Sequence, residues 1–369
     1  MSGSASPTSE IYIGLMSGTS LDGVDAVLVR LNGSPVLLAT GFLPYPKRLK
    51  AKLLSLHEPF RDELDAAALV GLELSRHYTR AVDVVLKKSG VSAAAVCAIG
   101  CHGQTIRHRP RSGYTLQLGN PAWLAERTGI SVVADFRSRD IAAGGQGAPL
   151  VPAFHAACFR DSRRHRVIVN LGGIANVTDL PVEGPVTGFD TGPGNVLLDA
   201  WAMEHFGRAF DRRGALASRG KAVAALLKAM LADPYFRLSP PKSTGRDRFN
   251  LKWLRAFRAG RHDPEDVQAT LAELTARNIS GAIAQFCPGA KEAYLCGGGA
   301  HNVDLVGRIA RMLPGVRIAS TEELGIHPDW VEAMAFAWLA QRALKRKTGS
   351  LPAVTGARGS RVLGAIYPA

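Results

Sequence analysis

Val186-Thr-Gly-Phe-Asp-Thr-Gly-Pro-Gly-Asn195 is the stretch on which the reading of this chain turns. A short β-type run ends at Phe189, and Asp190 follows at the strand tip. A Gly-Pro-Gly turn comes next, and an amphipathic run covers residues 196–206. That is a strand, a tight turn and a helix. A carboxylate at a strand end, beside glycines that let a substrate approach the backbone, is a way to build a reactive site. The helix start adds exposed N–H donors and a positive dipole end, which favour an anionic group nearby. The plainer alternative is that Asp190 caps the turn and the glycines only make the bend.

Just upstream, β-type runs at 167–171 and 174–179 meet at Gly172-Gly173, and 185–189 forms a third strand. The same order occurs at the start of the chain. Runs at 11–15, 24–30 and 36–42 surround the turn Met16-Ser-Gly-Thr-Ser-Leu-Asp-Gly23, and helical patterns at 48–56 and 62–88 come after them. Three antiparallel strands with a glycine-rich first turn, then helices, therefore occur twice. The residues barely match, but the order of elements does, which predicts two similar α/β lobes. A length of 369 residues also exceeds what one core usually holds. The first lobe is expected over residues 1–145, with 1–10 a polar disordered tail and the C-terminal segment 346–369 a candidate to complete it. The second is expected over 146–345. It has a helix over 150–159 opened by Pro149, helices at 220–231 and 264–286, a strand at 293–296, and a last helix from His327 to 345. Residues 356–367 read as a final strand or tail.

Composition is that of an ordinary globular protein, 46% apolar and 21% charged. The most apolar runs are too short to span a membrane, and the polar N-terminus has none of the parts of a secretory signal. Cys97, Cys101, Cys158, Cys287 and Cys296 are odd in number and form no Cys-x-x-Cys pair. They read as reduced cysteines of a cytoplasmic protein. A net charge of +14 suits anionic ligands such as nucleotides or acidic sugars. No helix-turn-helix or aromatic-interleaved pattern accompanies the basic clusters, so nucleic acid is not an expected partner.

Three glycine-rich turns come after strands, at residues 17–23, 172–173 and 297–299. Their backbone N–H groups can cradle phosphate oxygens. Ser17, Thr19, Ser20 and Asp22 in the first turn suit phosphates with a hydrated magnesium ion. The chain has no G-x-x-x-x-G-K-[ST], no H-R-D or D-F-G, no zinc spacing and no complete G-x-G-x-x-G, which excludes P-loop, protein-kinase, zinc-hydrolase and dinucleotide readings. Two glycine turns at equivalent points of duplicated halves describe the two-lobed architecture of sugar kinases, actin and Hsp70.

The closer resemblance lies in seven blocks. They are Gly14-Leu-Met-Ser-Gly-Thr-Ser-Leu-Asp-Gly-Val-Asp-Ala26, Cys101-His-Gly-Gln-Thr105, Ala134-Asp-Phe-Arg-Ser-Arg-Asp-Ile141, Gly144-Gly-Gln-Gly-Ala-Pro-Leu-Val-Pro152, Asn170-Leu-Gly-Gly-Ile-Ala-Asn176, Gly188-Phe-Asp-Thr-Gly-Pro-Gly-Asn195 and Cys296-Gly-Gly-Gly-Ala-His-Asn302. Together they resemble the anhydro-N-acetylmuramic acid kinase family over nearly the whole chain. Cys101 departs from the pattern, where a phenylalanine or similar residue is expected. The resemblance implies two duplicated RNase H-like lobes with a mixed sheet each and a nucleotide cleft between them. It implies a cytoplasmic, homodimeric enzyme of peptidoglycan recycling that uses ATP and magnesium, opens the 1,6-anhydro ring of its amino sugar with water and phosphorylates O6. It gives Asp190 as the catalytic base. It gives Gly18, Thr19, Ser20, Leu21, Asp22, Gly23, Val24, Asp25, Gly172, Gly173, Gly297, Gly298 and Gly299 as the ATP site, with Asp22 holding magnesium by way of water. His102, Gln104, Arg137, Asp140 and Glu332 are the sugar candidates. Glu332 stands out on its residues alone, because a carboxylate in so apolar a helix is costly unless something polar meets it. Two alternatives stay open: a related sugar kinase acting on a free hydroxyl, and an actin- or Hsp70-like ATP switch.

Overall fold

A computed structural model describes residues 10–369. The tail expected over 1–10 lies outside the described residues, apart from Glu10, whose carboxylate accepts a hydrogen bond from Lys345 at 2.6 Å. Contacts divide the chain into two compact units. The first runs to Gly147 and also takes Glu332–Ser350 and Gly359–Ala369; the second takes Ala148–Val331 and Leu351–Arg358. The last long helix, expected in the second lobe, thus makes its contacts within the first unit.

In chain order the first unit holds β1 (Ile11–Met16), β2 (Gly23–Arg30), β3 (Val36–Pro44), α1 (Lys47–Ser55), α2 (Glu63–Ser89), β4 (Val96–Cys101), β5 (Gln104–Arg109), β6 (Tyr114–Leu118), α3 (Pro121–Thr128), β7 (Val132–Ala134) and α4 (Ser138–Ala142). The second holds α5 (Pro152–Phe159), β8 (Arg166–Leu171), β9 (Ile174–Leu180), β10 (Thr187–Pro193), α6 (Val196–Phe206), α7 (Ala224–Leu231), α8 (Leu251–Ala256), α9 (Pro264–Phe286), β11 (Glu292–Cys296), α10 (Val303–Met312) and β12 (Arg317–Ser320). Then come α11 (Val331–Leu344), α12 (Pro352–Thr355) and β13 (Ala365–Tyr367).

The main sheet of the first unit has the order β13-β7-β4-β1-β2-β3, and that of the second β10-β9-β8-β11-β12. In both, three consecutive strands pair antiparallel and the next two strands of the sheet add parallel to the first of them. The duplicated α/β order expected from sequence is present. Two local expectations are corrected. The helix after the Gly144 block starts at Pro152, not at Pro149, because Pro152 takes the first helical position, where no N–H is needed. The final strand shrinks to Ala365–Tyr367, antiparallel to β7. The β5–β6 hairpin, β12 and α8 had no counterpart in the sequence reading.

The sheet of the first unit is apolar on both faces, as a covered sheet requires. On one side Leu74, Tyr78, Val82 and Val85 of α2 pack on Ile13, Leu15 and Leu28. On the other, α11 comes so close that only glycine fits beneath it. A Cβ on Gly14 would fall on the Ala333 carbonyl, and one on Gly100 on the Phe336 carbonyl. Gly14 and Gly100 are register partners on parallel β1 and β4. Gly100→Ala is therefore expected to cost about 3 kcal/mol, the upper end for overpacking. Gly281→Ala on α9, where nothing lies within 4 Å, should instead be neutral or gain roughly 0.5–1 kcal/mol. Thermal melts of both variants check this; equal midpoints would contradict it.

Candidate active site

In the first unit, β1 and β4 end side by side, so the loops after them meet. The Ser17 hydroxyl donates to the Gly103 carbonyl at 2.9 Å and sits 2.9 Å from the Tyr78 hydroxyl. Gln104, fully buried, donates to the Gly18 carbonyl at 3.0 Å and accepts from Tyr45 at 3.3 Å. His102 Nδ1 donates to the Ser17 carbonyl at 3.2 Å, while Nε2 accepts from Arg137 Nη2 at 2.9 Å and Nε at 3.2 Å. Both ring nitrogens are thus engaged. Burial, then the Arg137 charge, pulls the His102 pKa down to about 3, so the ring is neutral. Two of the sugar candidates therefore hold the first glycine-rich turn in place. Arg137 also donates to the Gly147 carbonyl at 2.7 Å, and the fully buried Asp140 accepts from the Gly147 N–H at 2.8 Å. Glu332 lies half-buried in the first turn of α11. His102, Gly103, Gln117, Asn120, Asp135 and Ser138 are on the wall of a cavity of about 280 Å³.

The first turn itself divides by role. A side chain on Gly18 would meet only Ser20 Oγ, at 3.7 Å, so its backbone is approachable. Leu21 (φ +58°) and Val24 are core residues and can offer only backbone. On Gly23 a Cβ would strike the Leu43 carbonyl, which makes that glycine a strand-pairing requirement. Asp22 is half-exposed and pairs with Lys50 at 3.3 Å. Among the described residues no three His, Cys, Asp or Glu side chains gather as a metal site. The solvent-exposed Asp22 carboxylate is a hard oxygen donor of the kind a hydrated cation takes.

In the second unit, Asp190 is not at a strand tip. It sits inside β10, at a register irregularity that falls before Gly192 (φ +146°). The Gly-Pro-Gly run continues the strand because Gly192 adopts a backbone angle closed to other residues. Asp190 is 6% exposed. Its carboxylate Oδ2 accepts from the Thr244 N–H at 2.9 Å, its N–H donates to the Lys242 carbonyl at 3.2 Å, and its carbonyl accepts from the Tyr235 hydroxyl at 2.8 Å. Burial lowers the Lys242 pKa, and the Asp190 charge opposes that shift. The loop Lys242-Ser-Thr-Gly-Arg246 was missed in the sequence; two hydroxyls, a glycine and two cations in five residues were the available signal. Gly172 and Gly173 receive the N–H groups of Asn195 and Val196 at 2.9 and 3.0 Å, so the start of α6 is spent on this turn. Gly297 and Gly299 are held close to Leu171, whereas Gly298 faces open space.

Two duplicated α/β units, each with a glycine-rich turn after its first strand, and a buried aspartate in the second, define a class of two-unit α/β folds. The family profile described as anhydro-N-acetylmuramic acid kinase matches residues 10–369. Proteins of that name from Thiobacillus denitrificans and Nitrosomonas europaea are 57% and 55% identical. The alignments cover 99% and 97% of this chain and 100% and 99% of theirs. The chain belongs to the anhydro-N-acetylmuramic acid kinase family. Among solved structures, the activator of 2-hydroxyisocaproyl-CoA dehydratase from Clostridium difficile aligns at TM-score 0.48 and 13% identity, over 91% of this chain and 96% of that one. That likeness is too distant to bear on function. Among the described residues no helix is long and apolar enough to cross a membrane.

Buried neutral histidines set a pH dependence. His102 and His155 are pulled down to about 3, and His108 to about 4, each chiefly by burial. Unfolded histidine titrates near about 6.5, so each binds fewer protons folded than unfolded. Their contribution to stability is full above that value and is lost as pH falls towards the folded values. The thermal midpoint should drop steadily from pH 6.5 to 4.5, and less steeply in His155→Asn; parallel slopes would contradict this.

Proposed function

We propose that the protein opens the 1,6-anhydro ring of anhydro-N-acetylmuramic acid with water and phosphorylates O6, taking the phosphoryl group from ATP and leaving ADP. The observation that carries this reading is Asp190: a buried carboxylate in a kinase-family chain, fixed at one oxygen by the Thr244 N–H. In the anhydro sugar O6 is tied to C1, so no free 6-hydroxyl exists. Asp190 takes a proton from water, the water oxygen attacks C1 opposite the bridge, and O6 departs to the γ-phosphoryl group. Attack opposite the leaving oxygen gives inversion at C1. Phosphoryl transfer then asks chiefly for in-line positioning and charge neutralisation.

The turn around Gly18 is assigned to the triphosphate, with Gly172, Gly173 and the Gly297 turn as further nucleotide contacts. Magnesium, held by Asp22 through water, would supply charge neutralisation at the phosphates. Arg137 suits the lactyl carboxylate of the sugar, since planar guanidinium pairs well with carboxylate. Glu332 is kept as a sugar contact. His102, Gln104 and Asp140 act by holding Arg137, the first turn and the Gly147 loop. The resemblance to the family supports a homodimer working in the cytoplasm, in peptidoglycan recycling.

Asp190→Asn keeps shape and removes the base. Turnover should fall by about 10²–10⁴-fold, the usual worth of a general base, with sugar and ATP still bound by calorimetry. Near-normal turnover would sink the assignment. Gly18→Val should fold, because the site is open, yet weaken ATP binding roughly tenfold, about the worth of one good polar contact. Unchanged ATP affinity would move the triphosphate elsewhere.

A further inference from the structure

β8, β9 and β10 line up three polar side chains. Asn170 is the register partner of Asn176, and Asn176 is the partner of Asp190. Residues directly opposite on antiparallel strands point to one face, with Cβ atoms about 4.5–5.5 Å apart. The alternate positions, Val169, Leu171, Ala175, Val177 and Phe189, turn the other way into the core. Asn170, Asn176 and Asp190 therefore form one row on the face away from that core. All three are buried, at 3%, 8% and 6% exposure.

Asn170 Oδ1 and Asn176 Oδ1 have no hydrogen-bond partner among the described residues. Leaving a buried amide carbonyl unmet forfeits its hydration without return. Asn170 Oδ1 lies against Gly297, where a Cβ would strike it, so the open carbonyl on the residue paired with Asp190 is that of Asn176. A cation or a water could meet it. The row carries one negative charge, and Lys242, also buried, lies within its field. Asp190 Oδ2 already accepts from Thr244. With no anionic excess, a neutral donor is favoured over a divalent cation, whose sites concentrate carboxylates.

We propose that Asn176 holds the attacking water against Asp190. The inference rests on the reading of Asp190 as base. One water O–H is donated to Asn176 Oδ1 and the other to Asp190, which leaves an oxygen lone pair for C1. The O–C1 bond forms, the C1–O6 bond breaks, the proton goes to Asp190, and the O6 electron pair takes up the phosphoryl group from ATP. Asn176 thereby touches a reactant, although neither ATP nor the sugar depends on it for binding.

The test uses the full chain with Asn176→Ala and the near-isosteric Asn176→Asp. The Ala variant should lose roughly 10–100-fold in kcat, with KM for sugar and ATP changed less than about twofold, in the range of a single positioning interaction. It should melt no lower than the parent, because an unmet carbonyl is removed. In the Asp variant a second carboxylate beside Asp190 should move the acid limb of the kcat profile up by about a pH unit or more. Wild-type kcat in the Ala variant, or an unmoved acid limb in the Asp variant, overturns the proposal. So does weakened Mn2+ binding, read by electron paramagnetic resonance, with kcat restored by excess Mg2+, which would make the row a cation site. If the Ala variant fails to fold, the Asp profile decides alone. Normal turnover in Asp190→Asn refutes the base itself; collapse there with unaffected Asn176 variants refutes only the role of Asn176.

Discussion

Gly14 and Gly100 stand side by side on parallel strands, and the backbone of α11 lies directly on them. The geometry of the first unit depends on that contact. The helix can come this near because it is rich in alanine, with Ala333, Ala335, Ala337 and Ala340 all buried. Phe336, between them, places its ring 4.7 Å from His102 and 5.5 Å from Phe136. β1 and β4 must then end at the same level, which brings Ser17 and His102 together. The His102 hydrogen bonds in turn set Arg137, and Arg137 reaches the Gly147 loop. One steric requirement for two missing side chains is thus carried to every sugar candidate of this unit, with Glu332 placed by the same helix.

The second unit solves a different problem: how to bury a carboxylate among polar partners. Asp190 is met by a backbone N–H, by the neighbouring Lys242 charge, and by a row of amides rather than apolar side chains. Both glycine-rich turns here are tied into the scaffold by close approach to Leu171 and by the first amides of α6.

The duplicated order of strands was legible because apolar runs and Gly-Gly or Asn-Gly turns mark it directly. The β5–β6 hairpin was hidden because Arg107-His-Arg-Pro-Arg111 reads as a charged surface cluster; in the structure Arg107 lies on β5 and pairs with Glu63 of α2 at 2.5 Å. Asp190 was placed at a strand tip because Gly-Pro-Gly looks like a turn, whereas Gly192 lets the strand continue. The composition of the Lys242 loop could mark it as polar but could not tie it to Asp190, because those ties are backbone bonds, open to any residue type. Asn170 and Asn176 stood within the motif blocks, but only strand register shows that they share a row with Asp190. His102 and Gln104 read as ligand contacts because both are polar residues after a strand; their partners are carbonyls of a turn 85 or so residues away, which no local pattern reports.

The central claim is that water enters at C1 while O6 leaves with the phosphoryl group. Turnover in water enriched in heavy oxygen, quenched within the first turnovers and read by mass spectrometry of product fragments, tests it most directly. The account predicts one heavy oxygen on C1 and none in the phosphate. Heavy oxygen in the phosphate, or a product without label, would contradict it.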